Sequence, residues 1–233
     1  MIYLDNSATT KPHESVLQTF LQVNERYFAN PASIHKAGVE ANDLLSRARE
    51  QVASILNTEE KQVIFTSGGT ESNNFALYGI AKSSTHKGKH IIVSEIEHPS
   101  VLEAAKRLIS EGFDIEYLRV DEHGKLSVEQ LKRIIRKDTI LVSVMHVNNE
   151  MGAISPIREI AQIIHEKSRA VFHVDAVQSF GKMHVAFDGE NGPDILTVSG
   201  HKIHGIKGSG IIAFRKQLNI SPLLVGGGQE FGL

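Results

Sequence analysis

Apolar residues recur at three- and four-residue steps in the first quarter of the chain, and the pattern then changes to short β-rich runs. Val16, Phe20, Val23 and Tyr27 mark one face of a helix from about Pro12 to Phe28, with Pro12 at a first-turn position. The segment Asn30-Pro31-Ala32-Ser33-Ile34-His35 interrupts it. A second helix is predicted from about Val39 to Leu56, with Leu44, Leu45, Ala48, Val52 and Leu56 on one face and Asn57 as its stop. Strand runs follow at Val63-Ile64-Phe65, Ile91-Ile92-Val93, Ile115 to Val120, Ile140 to Val147, Val171 to Val174, Ile195 to Val198 and Ile211 to Phe214. Helical stretches lie between most of them, at Glu71 to Ala81, Val101 to Ile109, Val128 to Ile135 and Ile157 to His165. This rhythm predicts an α/β fold, a mostly parallel seven-stranded sheet with helices on both faces and functional groups collected at the strand ends. The last three strands follow one another with little helix between them, so an antiparallel edge strand is expected near Ile211.

Composition narrows the class. The chain has 233 residues, 41% apolar, and a formal charge of -2. That is ample material for a large core, and no basic excess points to nucleic acid. No apolar run reaches the roughly 18 residues of a membrane span, and MIYLDNSATTK lacks the charged-then-apolar order of a signal peptide, so a cytoplasmic location is expected. The chain contains no cysteine, which excludes disulfides, thiolate metal sites and a cysteine nucleophile supplied by these residues. No internal repeat or linker divides it.

Candidate chemistry gathers where strands end. Ser199 to Gly210, SGHKIHGIKGSG, places Lys202 among glycines directly after an apolar strand. Partial burial there lowers an ammonium pKa and frees the amine as a Schiff-base nucleophile. A solvated lysine in a strand-to-strand turn is the alternative. Thr66 to Ser72, TSGGTES, follows the first sheet strand and opens a helix, whose free amides suit one phosphate group. Thr70 as an N-cap with Ser72 in the first turn is an equally good account, and both can hold. Asp175 ends the run AVFHV; a carboxylate there can hold a heteroaromatic ring nitrogen protonated, or cap a turn. His98, held extended by Pro99, is a candidate acid–base or stacking group. Asn149 offers amide donors and acceptors at another strand end. His201 and His204 lack the spacing of a helical metal-binding pair, and no metal site is assigned.

These motifs resemble the large domain of fold-type I pyridoxal phosphate enzymes and, more narrowly, the class V, NifS/IscS-type cysteine desulfurases. The resemblance rests on YLDNSATT at Tyr3 to Thr10, NPASIH at Asn30 to His35, TSGGTESNN at Thr66 to Asn74 and EIEHPSV at Glu95 to Val101. It continues through MHVNNEMG at Met145 to Gly152, HVDAVQSFGK at His173 to Lys182, SGHKIHGIKG at Ser199 to Gly208 and GGGQE at Gly226 to Glu230. It implies pyridoxal 5'-phosphate bound through Lys202, which then moves the substrate's Cα proton. It further implies Asp175 at the pyridine nitrogen, His98 stacked on the ring and assisting proton transfer, and Gln178 at the phenolic oxygen. Gly69, Thr70, Ser199 and His201 would hold the phosphate, and Asn149 would orient the substrate.

The implied substrate is L-cysteine, and the implied partners are a second copy of the chain and a sulfur-accepting protein; no nucleic acid or membrane is implied. A selenocysteine lyase, an aminotransferase-like enzyme and a non-catalytic cofactor-binding domain are the alternatives. Ile206 stands where the family commonly has proline. The family also continues beyond GGGQE into an Arg-Ser-Gly-Thr segment and a smaller C-terminal domain carrying the cysteine nucleophile. Residues 1–233 are therefore expected to be an N-terminal segment plus the cofactor-binding large domain, without that second domain.

Overall fold

The computed structural model describes residues 2–185, 187, 191–215 and 218–233. Two helices, α1 (Glu14–Arg26) and α2 (Lys36–Leu56), precede the sheet. The sheet strands and remaining helices are β1 (Val63–Thr66), α3 (Gly69–Ser83), β2 (His90–Ser94), α4 (Pro99–Ser110), β3 (Asp114–Leu118), α5 (Val128–Ile134), β4 (Thr139–Met145), α6 (Ile157–Lys167), β5 (Val171–Asp175), β6 (Ile195–Ser199) and β7 (Gly210–Phe214). They form one seven-stranded sheet in the order β1-β7-β6-β5-β4-β2-β3. Pairs among β3, β2, β4, β5 and β6 are parallel, while β7 runs antiparallel to both β6 and β1.

Strand residues alternate between two cores, because successive side chains on a strand point to opposite faces. Ile92, Val142, Val144, Phe172, Val174, Leu196 and Val198 pack with α2, α5 and α6. Ile91, Val93, Leu141, Ile195, Ile212 and Phe214 pack with α3 and α4 on the other face. A sheet covered on both sides needs continuous apolar strands, which is how the middle of β2 and the whole of β7 are written.

Three sequence expectations change. The strand near Ile211 is antiparallel, as expected, but it is not an edge: β7 lies between β1 and β6, and β1 is the edge on that side. Gly-Ile-Ile-Ala-Phe is buried throughout, which an edge strand would not need to be. The apolar stripe assigned to α1 covers none of the core, since no residue of that helix is buried. On α2 the buried stripe is turned from the predicted one and runs through Ala41, Arg49, Ala53 and Leu56. Arg49 occupies it because Glu230 forms a bidentate pair with its guanidinium (2.7 and 2.8 Å), which also donates to Val63 O at 2.5 Å. Asn57 ends α2 in the left-handed conformation, as predicted.

Candidate active site

The carboxyl ends of β2, β4, β5 and β6 share one rim because those strands are parallel, and β1 joins them through its two antiparallel steps across β7. A cleft of about 450 Å³ opens at that rim. Gly69, Thr70, His98, Asn149, Asp175, Gln178, Ser199, His201 and Lys202, the candidate residues picked out in the sequence, all line it.

Close backbone approach builds the lysine loop. Lys202 closes a single 3-10 turn, Gly200 to Lys202, just past β6. Gly205 N–H bonds to Gly200 O at 2.8 Å, and a Cβ on Gly205 would stand 2.8 Å from that same oxygen. Only glycine permits this contact. The N-terminal segment then straps across the loop. Thr10 donates to His201 O through both its amide and its hydroxyl, each at 2.8 Å, and His204 N–H returns to Thr10 Oγ1 at 2.7 Å. Lys202 Nζ and Gln178 Nε2 both donate to Ser7 O. Burial, reinforced by the charge of Lys182, pulls the Lys202 ammonium below its usual range; Asp175 and Asp5 oppose this.

At the other end of the cleft α3 begins at Gly69, with Gly68 as N-cap at φ 152°, a value open to glycine. The N-cap reading of Thr70 is therefore corrected: Thr70 lies inside the first turn, and the amide ahead of the helix, Ser67 N–H, is held instead by Glu71 Oε2 at 2.7 Å. Ser199 Oγ, buried beside this helix start, has no hydrogen-bond partner. A partnerless buried hydroxyl next to free helix amides fits an anionic ligand oxygen, and this is the observation on which a phosphate group can be seated.

Asp175 lies at the base. It is 4% exposed and accepts hydrogen bonds from Val177 N–H (2.9 Å) and from Asn73 Nδ2 (2.7 Å). Burial raises its pKa, and those two bonds with the charges of His98 and Lys202 counteract the rise. The turn reading of Asp175 thus holds together with its position in the cleft. His98 caps α4 with Pro99 in the first turn, and its Nδ1 accepts the Ser100 amide at 3.1 Å. Asn148 shapes the next turn by accepting from Glu150 N–H and Met151 N–H, which leaves Asn149 facing the cleft. Glu97, 4% exposed, accepts from Met145 N–H; burial and the charge of Asp175 push its carboxyl well above the usual range.

Sequence reasoning passed over Asn73, Ser100 and the Ser7 carbonyl. Asn73 was visible as a polar residue one turn into a helix whose neighbours Phe75, Ala76 and Leu77 are all buried.

The sequence profile of the aminotransferase class-V family matches residues 2–231. The chain belongs to that family. Among class-V relatives, a Bacillus subtilis protein named putative cysteine desulfurase IscS 1 is 45% identical over 230 residues, 98% of this chain and 60% of its own length. The mitochondrial cysteine desulfurase of Saccharomyces cerevisiae is 46% identical over 235 residues, covering 100% of this chain and 47% of that protein. The chain thus spans about half to three-fifths of the curated relatives it matches. A solved structure titled NIFS-like protein superposes with a TM-score of 0.96 at 40% identity, covering 100% of this chain and 64% of that one. Another, titled SspA in complex with cysteine, gives 0.94 at 38%, covering 100% and 67%. The α/β fold expected from the strand and helix rhythm, a mostly parallel seven-stranded sheet with helices on both faces, is the fold these structures share.

Proposed function

We propose that residues 1–233 are the cofactor-binding large domain of a pyridoxal phosphate-dependent cysteine desulfurase. The observation that carries this reading is the convergence, in one cleft, of a lysine with a depressed pKa, a buried aspartate held by two donors, and a buried hydroxyl without a partner beside a helix start. The relatives named as cysteine desulfurases and the structure titled with cysteine support the substrate class.

When bound, the cofactor supplies an electron sink for bonds at the substrate's Cα. Lys202 is the residue that holds it and then carries the Cα proton on Nζ, for which a lowered ammonium pKa is required at neutral pH. Asp175, Gln178 and His98 would hold the ring, Asp175 by keeping its nitrogen charged, Gln178 by bonding the phenolic oxygen and His98 by packing on it. Gly69, Thr70, Ser199 and His201 would bind the phosphate, and Asn149 would orient the amino acid. Sulfur transfer requires a thiolate to attack the substrate sulfur; the S–S bond forms as the C–S bond breaks, and the electron pair left on Cβ takes up a proton, so that alanine leaves. These 233 residues hold no cysteine, so that thiolate is supplied from outside them.

The reading includes a homodimer, supported by apolar residues that the N-terminal segment leaves exposed, among them Phe20, Leu21, Phe28 and Ile34. It also includes a cytoplasmic location; among the described residues no helix is long and apolar enough to cross a membrane.

Incubation with pyridoxal phosphate tests the site. A yellow, borohydride-reducible adduct that is lost in Lys202→Ala and shifts its spectrum with L-cysteine is expected. Absence of any adduct in folded wild-type protein overturns the cofactor assignment, and release of sulfide or persulfide from L-cysteine by this chain alone overturns the view that the thiolate comes from elsewhere.

A further inference from the structure

We propose that His173 is a positioning residue, held as the Nε2–H tautomer, that supplies the hydrogen needed to keep a buried hydrogen-bond chain to Asp175 and His98 in a single direction. The inference rests on the cofactor reading for its consequence, but not for its geometry. Ser143 on β4, His173 on β5 and Thr197 on β6 are each 0% exposed, and Asn73 on α3 is 1% exposed, so no solvent can correct a mismatched donor or acceptor among them. Ser143 Oγ stands 2.8 Å from His173 Nδ1, and His173 Nε2 stands 3.2 Å from Thr197 Oγ1. Thr197 Oγ1 donates to Asn73 Oδ1 at 2.6 Å. Asn73 Nδ2 spends its two hydrogens on Asp175 Oδ2 (2.7 Å) and Ser100 Oγ (2.9 Å). Ser100 Oγ in turn lies 2.8 Å from His98 Nδ1.

The directions follow from the ends. Asp175 Oδ2, as a carboxylate oxygen, can only accept, so the NH2 of Asn73 faces it and the amide oxygen faces Thr197. Thr197 has one hydroxyl hydrogen, and Asn73 takes it. The hydrogen between Thr197 and His173 must then come from His173 Nε2, which leaves Nδ1 bare to accept from Ser143. The other tautomer reverses every link. Thr197 would donate to Nε2 and offer Asn73 only lone pairs, and the amide would turn its oxygen toward Asp175 at a distance where two oxygens repel. At the far end Ser100 accepts from Asn73 and gives its hydroxyl hydrogen to His98 Nδ1, which already accepts the Ser100 amide. His98 therefore carries its ring hydrogen on Nε2. Asp175 at one end and a neutral His173 at the other thus agree on one direction for the chain, and Asn73 passes it through Ser100 to the histidine beside the cleft.

Long-range proton–nitrogen spectra of the full chain labelled with 15N-histidine, without cofactor, test the chain directly. His173 and His98 are both expected as Nε2–H tautomers, with His173 unprotonated from pH 5 to 9, since burial lowers its pKa to about 3. Thr197→Val keeps the shape but removes the relay; it is expected to move the His98 ring nitrogen signals and to weaken pyridoxal phosphate binding at least about fivefold, whereas Thr197→Ser restores both. A His173 Nδ1–H tautomer, or a folded Thr197→Val with unaltered His98 signals, overturns the inference. If the wild type shows the expected tautomers but binds no pyridoxal phosphate, the cofactor reading fails and the directed chain stands.

Discussion

Ser199→Ala gives opposite effects on the empty and the loaded protein, and the opposition comes from one atom. Ser199 is 2% exposed and its hydroxyl has no partner, so folding removes water from the group without replacing the bond. A buried unsatisfied hydroxyl costs about 1–3 kcal/mol, and a methyl in its place relieves most of that. Taking about 1 kcal/mol, the empty variant melts roughly 2–4 °C above wild type for a domain of this size. With pyridoxal phosphate the same change deletes a hydrogen bond to a charged group, worth about 1.5–3 kcal/mol, so affinity falls roughly 10- to 150-fold. At a ligand concentration about 100 times the wild-type Kd, the gain on binding then drops from about 2.7 to about 1.4 kcal/mol or less. Differential scanning fluorimetry with and without cofactor reads both effects, and pyridoxal, which has no phosphate, should not distinguish variant from wild type. A variant that is destabilised when empty, or that binds pyridoxal phosphate as wild type does, refutes the assignment of this hydroxyl to the phosphate.

The remaining predictions concern the lysine and the segment packed against the sheet edge. Lys182 lowers the pKa of Lys202, so Lys182→Gln raises it, reduces the free amine at any pH below the new value, and moves the pH–rate curve for adduct formation upward; a curve that does not move shows that burial alone sets the amine. Glu230→Ala strands the Arg49 guanidinium, whose side chain is 7% exposed and lies over Phe65 and Phe231 at 4.8 and 5.0 Å. Removing one partner of a buried pair costs about 3–5 kcal/mol, and the 22% exposure of Glu230 sets the expected loss at the low end, about 3 kcal/mol. Urea denaturation with a slope of about 3 kcal/mol/M would then shift by about 1 M, whereas Arg136→Ala in its exposed pair with Asp114 should shift it by less than about a third of that.

The parts of this fold that could be read from the chain are those whose partners are close in sequence. Pro99 extends His98 just before a helix, and Asn57 stops α2 within its own turn; both are settled by a few residues of backbone sterics. Periodicity separates apolar from polar faces but does not say what will cover them. The stripes of α1 and α2 look alike, yet one is left exposed and the other is rotated to admit Arg49, because Glu230 arrives from 181 residues away. The position of β7 is a matter of topology in the same way: chain order says antiparallel, and only the insertion between β1 and β6 makes it interior. The site follows the same rule. The nine cleft residues picked out in the sequence all lie at or shortly after strand ends, whereas the residues that support them are joined by bonds such as Thr197 to Asn73, 124 residues apart. Yet those hidden members leave a local trace. VFHVD places a histidine, and ILTVS a threonine, at positions where a strand buried on both faces would otherwise hold an apolar side chain. A polar residue that breaks such a run has to find a partner inside the protein, and following that requirement from His173 leads through Thr197 and Asn73 to Asp175.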